Sequence, residues 1–132
     1  MSGVFAPSSL ATSSKQFIFL AERRRKEAVV LLNEKHWLGA FYLAGYTFEC
    51  ALKAMLAKLN KDTLPGIYQN HNVEELRKAV LPHVSSTSAQ TLQSVPAWTH
   101  LLRYDCKIPA PGTVVQFINR VREAYRCLST YI

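Results

Sequence analysis

The chain has 132 residues, 48% of them hydrophobic, and sixteen Lys or Arg against nine Asp or Glu give it a net charge of +7. That length suits one domain able to bury a core unaided, and the charge favours a polyanionic partner such as nucleic acid or an acidic protein. Cys50, Cys106 and Cys127 make an odd set without a C-x-x-C pair, which argues against a zinc site and for free thiols in a reducing compartment. No basic start runs into a long apolar stretch and a cleavage site, so the expected location is the cytoplasm.

Residues 1–12 are small and polar with Pro7, and are expected to form a flexible arm. Ser13 followed by Gln16 is a capping-box signature that opens a first helix over about 14–34. Phe17, Leu20, Ala21, Ala28, Leu31 and Leu32 share one face of it. Four consecutive cations, Arg23, Arg24, Arg25 and Lys26, interrupt this face, and Arg24 falls within the apolar stripe. Arg24 either lays its stem along apolar surface with its head in water, or holds a phosphate at a groove between helices.

After a short turn, a central helix is expected over 36–59. Apolar residues recur there at Trp37, Ala40, Phe41, Ala44, Phe48, Ala51, Leu52, Met55, Leu56 and Leu59, the spacing of one helix face. The other side is hardly polar, so the helix is to be buried by several neighbours. Glu49, Lys53 and Lys58 mark it as no membrane span, and its Ala and Gly positions allow close approach. Glu49 stands four residues before Lys53, the favourable order for a helical ion pair.

Asp62, Pro65 and Gly66 then reverse the chain, and Asn72 with Glu75 three residues later caps a third helix ending near Leu81, before Pro82. His71 sits just outside that cap, either bonding a backbone group of the loop or lining a groove beside the central helix. Thr87 with Gln90 predicts a short fourth helix that stops before Pro96. The stretch Ala97–Tyr104 is read as one or two further turns. Thr113 with Gln116 predicts the start of a last helix, over 113–131, with Val114, Phe117, Ile118, Val121, Tyr125, Leu128 and Ile132 on its inner face. No strand-like alternation is long enough for a sheet, so the fold expected is all-α.

The central stretch resembles the HEPN family of small bacterial and archaeal helical domains. The resemblance lies in Ala40, Tyr42, Leu43, Ala44, Gly45, Tyr46, Glu49, Cys50, Ala51, Leu52, Lys53 and Ala54, then in His71 and Asn72, with Val73 where Leu is usual. It continues more loosely through Leu102, Arg103 and Tyr104. It implies an up-and-down four-helix-type bundle with extra short helices, one domain over 1–132, and a homodimer. An apolar surplus on the central and final helices points to the homodimer as well. The family includes metal-independent ribonucleases in which an arginine is followed four to six residues later by a histidine. That histidine takes the proton of a ribose hydroxyl while the arginine offsets charge on the phosphate.

No histidine follows Arg103, where Tyr104, Asp105, Cys106, Lys107, Ile108, Pro109 and Ala110 stand instead. The departure removes the general base of the family reaction. Arg77 and His83 fit the spacing but straddle Pro82 in the wrong helix, and His100 precedes Arg103 by three, in reversed order. The expectation is therefore a module without catalysis of its own. It would bind a small nucleotidyltransferase partner, or a nucleotide or RNA, in a toxin–antitoxin or defence-like system. The alternative is a ribonuclease using Arg103 with a non-standard histidine such as His100. Expected ligand-binding residues are Arg103, Tyr104, His71, Glu49, Lys53 and Arg24, with no cofactor and no metal.

Overall fold

The computed structural model describes residues 10–132, and most of the expected flexible arm, residues 1–9, lies outside them. The described end of that arm is tied down: the carbonyl of Thr12 accepts from the backbone N–H of Leu64 at 3.0 Å. Five α-helices follow: α1 Ser14–Asn33, α2 Trp37–Leu59, α3 Val73–Val80, α4 Ser86–Gln93 and α5 Pro111–Ser129. Single turns of 3-10 helix occupy Gly66–Tyr68, Leu81–His83 and His100–Tyr104, and no strand occurs among the described residues. The fold is an all-α bundle.

Ser13 and Gln16 form the reciprocal capping box at the start of α1. At its other end Lys35 takes a left-handed φ of 63°. The backbone N–H groups of Lys35 and His36 bond back to Leu32 and Leu31 at 3.0 and 2.8 Å. This is a Schellman closure, and it sends α2 back along α1. The two helices form the main packing pair of the bundle.

α2 is the hub that its composition predicts, packing on α1, α3, α5 and the His100–Tyr104 turn. Phe48, Leu52, Ala40, Ala44, Ala51, Ala54 and Ala57 are almost wholly buried. α5 contributes Val114, Phe117, Ile118, Val121 and Leu128 to the same core, and Phe41 stacks on Phe117 with ring centroids 4.4 Å apart. Burial on this scale is worth about 1.5–3 kcal/mol per large apolar side chain.

Two helix starts differ from expectation. α4 is capped by Ser85, whose hydroxyl accepts from the Ser88 N–H at 3.1 Å, and not by Thr87 with Gln90. α5 begins at Pro111 rather than Thr113, with no side-chain cap. A proline at the first helical position has its φ preset and forfeits no bond, because that N–H has no helical acceptor. At α3, Asn72 caps as expected, but its own N–H is met by Asn70 Oδ1 at 2.8 Å instead of by Glu75.

Most apolar residues of the central and final helices are buried or half-buried within the chain. Leu59 and Val115 are their exposed large apolar residues, and others stand on α1, at Phe19 and Val30, and around the His100–Tyr104 turn, at Leu101, Tyr104 and Ile108. Among the described residues no helix is long and apolar enough to cross a membrane.

Candidate functional site

On α2, Tyr42, Tyr46, Glu49 and Lys53 follow one another at steps of four, three and four, so they form one line along the helix. The line is polar on a helix otherwise sunk in the core. Its lower half is a buried ion pair, with Lys53 Nζ donating to Glu49 Oε2 at 3.1 Å and both side chains under a tenth exposed. The helical pair expected from the spacing is therefore present, and it is buried rather than solvated.

His71 closes this pair from the loop before α3. Its Nδ1 lies 3.0 Å from Glu49 Oε2 and 3.3 Å from Oε1. The ring bonds a carboxylate across 22 residues of chain, not a backbone group of its own loop. A ring nitrogen facing a carboxylate at that distance is placed to donate to it, which orients the ring and leaves Nε2 as the nitrogen not engaged by Glu49. The loop itself is fixed on both sides of the histidine. Asn70 donates to the Ile67 carbonyl at 2.9 Å, and Asn72 accepts from the Glu75 N–H at 3.1 Å.

The upper half of the line meets the segment after α4. The Trp98 indole packs edge-on against Tyr46, centroids 5.2 Å apart, and tilted against Tyr42 at 5.9 Å. It can lie there because residue 45 is glycine: a Cβ at Gly45 would fall 1.8 Å from Trp98 Cε2. The indole N–H is buried without a partner. Thr99 then starts the 3-10 turn, its hydroxyl accepting from the Leu101 N–H at 3.3 Å.

In such a turn residues three apart lie one above the other, which sets His100 and Arg103 on one side. The His100 ring stands 5.2 Å from that of His71. The Arg103 guanidinium lies over Tyr42 at 5.8 Å and over Tyr104 at 5.5 Å. Neither Asp105 nor Glu49 forms an ion pair with Arg103 among the described residues. The Asp105 side chain instead accepts from the Lys107 N–H at 2.9 Å.

Between these parts runs an open cleft of about 520 Å³, lined by Asn70, His71, Asn72, Val73, Glu74, Trp98, Thr99 and His100. The Tyr42 and Tyr46 hydroxyls share a hydrogen bond of 3.0 Å beside it. Burial, that hydrogen bond and the Glu49 charge push the Tyr46 hydroxyl well above the usual tyrosine range, and the Arg103 charge opposes them. Tyr46 is therefore a neutral hydrogen-bonding group.

Of the residues expected at the site, Glu49, Lys53 and His71 are bonded together, and His100 stands beside His71 along the cleft. Arg103 lies over Tyr42 and Tyr104 and is not among the residues that line the cleft, and Tyr104 is exposed. Arg24 is not among them. It is half-buried and paired with Glu27 of its own helix, and it does not line the cleft. Arg77, the arginine spaced from His83, is also a structural residue. Its guanidinium donates to the carbonyls of Leu92 and Val95 at 2.9 and 2.6 Å and to Glu74 at 2.9 Å. Gly45 was read as part of the resemblance and as a position of close approach, but Trp98, the residue that approaches it, was not singled out. The signal available was a glycine inside a strongly helical stretch, which lacks a local reason to be there.

Chemically the cluster offers a guanidinium able to grip two oxygens at once, two imidazoles, and a carboxylate that orients one of them. No group of His, Cys, Asp and Glu among the described residues could hold a metal ion. No protein-family model, curated protein or solved structure matches this chain.

Proposed function

We propose that this protein is a HEPN-type helical module whose cleft beside α2 binds a phosphate-bearing ligand, a nucleotide or an RNA. The observation that carries the reading is the approach of the His71 and His100 rings to 5.2 Å at the cleft of a basic molecule, with Arg103 following His100 in the same 3-10 turn and lying over Tyr42. These three groups come from two segments of chain; Glu49, bonded to His71, is answered by Lys53, and Glu74, which also lines the cleft, is paired with Arg77. An arginine stacked on Tyr42 and left without an acidic partner is suited to an outside anion. In this reading the chain works beside a small nucleotidyltransferase in a toxin–antitoxin or defence-like pair, as a homodimer, without catalysis of its own.

A ribonuclease remains the second reading, and one observation favours it. Glu49 holds His71 by Nδ1, the arrangement of carboxylate and imidazole that prepares a general base at Nε2. His71 would then replace the base that is missing after Arg103, and His100 would lie within reach of the same substrate.

Titration of the purified protein with adenosine 5′-monophosphate and with a labelled single-stranded RNA tests the binding claim. Saturable binding of either, lost in Arg103→Ala, is the expected result, and no binding of either rejects it. Incubation of the RNA with EDTA present separates the two readings. Intact RNA supports the binding module, and cleavage that disappears in His71→Ala supports the ribonuclease.

A further inference from the structure

We infer that the outer face of α1 is a docking site for an acidic amphipathic helix of a partner protein. Lys15, Phe19, Arg23, Lys26 and Val30 fall within an arc of about 80° on a helix of 3.6 residues per turn. All five are exposed, Phe19 at 58% and Val30 at 60%. None of them lines the cleft beside α2, so this surface stands apart from the proposed ligand site.

The arc holds no carboxylate. Glu22 and Glu27 flank it on either side, and each is already held, Glu22 by Arg25 at 2.6 Å and Glu27 by Arg24. Lys26 reaches Glu22 only at 3.9 Å. Arg23 has no ion pair among the described residues, and its guanidinium lies 5.6 Å over the Phe19 ring. Beside that ring, Ala11, Lys15, Gln16 and Leu20 complete a groove of about 410 Å³, open to an apolar side chain from outside. The face thus presents two apolar anchors about 16 Å apart along the helix, with two cations between them.

Exposed apolar residues in a line mark a contact surface, and the cations between them choose its occupant. A second copy of the chain docked antiparallel would set Phe19 on Val30 and Arg23 on Lys26, and a parallel copy would set each residue on itself. Both arrangements oppose like charges. A nucleic-acid backbone answers the cations but leaves the two anchors uncovered. A lipid surface that takes in Phe19 and Val30 carries Arg23 and Lys26 in with them, because all four lie on one line. A helix with carboxylates between two apolar residues at the same spacing answers every group at once. That spacing, of four, three and four residues, is the same read in either direction, so the partner helix fits parallel or antiparallel.

Three labelled helical peptides test this by fluorescence anisotropy. The first carries Leu-x3-Glu-x2-Glu-x3-Leu on one face, the second has Lys for both Glu, and the third has Ala for both Leu. The first should bind saturably and about tenfold tighter or more than either of the others, the effect of burying one large apolar side chain. This comparison needs no variant of the chain. Phe19→Ala should weaken the first peptide by a similar factor, and Arg23→Glu with Lys26→Glu should transfer the preference to the Lys peptide, both variants melting as the unmodified chain does. Equal binding of the three peptides, or binding of none, overturns the inference. So does a dimer of the unmodified chain that Phe19→Ala dissociates in sedimentation, which would make the face a contact between copies. Capture of single-stranded RNA or of phosphatidylserine vesicles through Arg23 and Lys26, with no peptide bound, overturns it as well.

Discussion

The Trp98 indole rests directly on the backbone of α2 at Gly45, close enough that a Cβ there would lie 1.8 Å from one ring atom and 2.0 Å from another. Trp98 is 5% exposed and precedes the turn that carries His100 and Arg103, so this contact sets the height of the turn above α2. Gly45→Ala opposes two effects. Alanine favours the helix by about 1 kcal/mol, whereas forcing a methyl into filled space costs about 1–3 kcal/mol, and an overlap this deep puts the change at the upper end. The expected outcome is a lower melting temperature with altered tryptophan fluorescence. An unchanged or raised melting temperature would contradict the contact.

Glu49 has two duties that substitution can separate. Removing it as Glu49→Ala leaves Lys53 buried without its anion, and breaking a buried pair in this way costs about 3–5 kcal/mol. Replacing both members by leucine removes the charges together and should return most of that stability. The double variant still lacks the partner of His71 Nδ1, so its stability should recover while its ligand affinity does not. Denaturant unfolding followed by ligand titration checks both halves.

Arg77 should tolerate no conservative replacement. Its guanidinium reaches two carbonyls beyond the end of α3 and one carboxylate, and lies 5.1 Å over the Phe48 ring. Lysine offers a point charge and not a planar fork. Arg77→Lys is expected to lower stability by about 1.5–3 kcal/mol, the worth of a charge-assisted bond lost, with little change in ligand affinity. A loss of affinity at full stability would return Arg77 to the functional set.

The three thiols should react in a fixed order. Burial pushes the Cys50 thiol up to about 12, and the neighbouring Glu49 charge adds to the effect, so almost no thiolate exists at neutral pH. Cys106 is exposed and Cys127 half-buried. Brief treatment of the native protein with an alkylating reagent at pH 8 should label Cys106 first and Cys50 only after unfolding, as read by peptide mass spectrometry. Rapid labelling of native Cys50 would contradict the packing of α2.

The sequence makes the helices legible because their evidence is repeated. Trp37 to Leu59 offers apolar residues turn after turn, and one misplaced residue changes little. Caps rest on single residues. In Ser85-Ser86-Thr87-Ser88 every position has a hydroxyl able to cap, and tertiary placement chose Ser85, whose N–H also meets the Tyr131 hydroxyl at 3.0 Å. The site was partly legible for the same reason. Glu49 and Lys53 pair within one helix, so their spacing announces them. The bond from Glu49 to His71 and the approach of His100 to His71 are tertiary, and no local pattern encodes them. The glycine at 45 pointed to a close approach, but not to the indole that makes it.

The most direct test of the central claim compares Arg103→Ala with Arg120→Ala, which removes an exposed cation on α5 away from the cleft. Both variants lower the net charge equally, so non-specific attraction of anions falls alike in the two. Titration with adenosine 5′-monophosphate at fixed salt, alongside thermal melting, is the measurement. The account predicts that Arg103→Ala weakens binding by about 1.5–3 kcal/mol, while Arg120→Ala binds as the unmodified chain does and both melt normally. Equal small losses in the two variants, or a lowered melting temperature of Arg103→Ala with unchanged affinity, would contradict it.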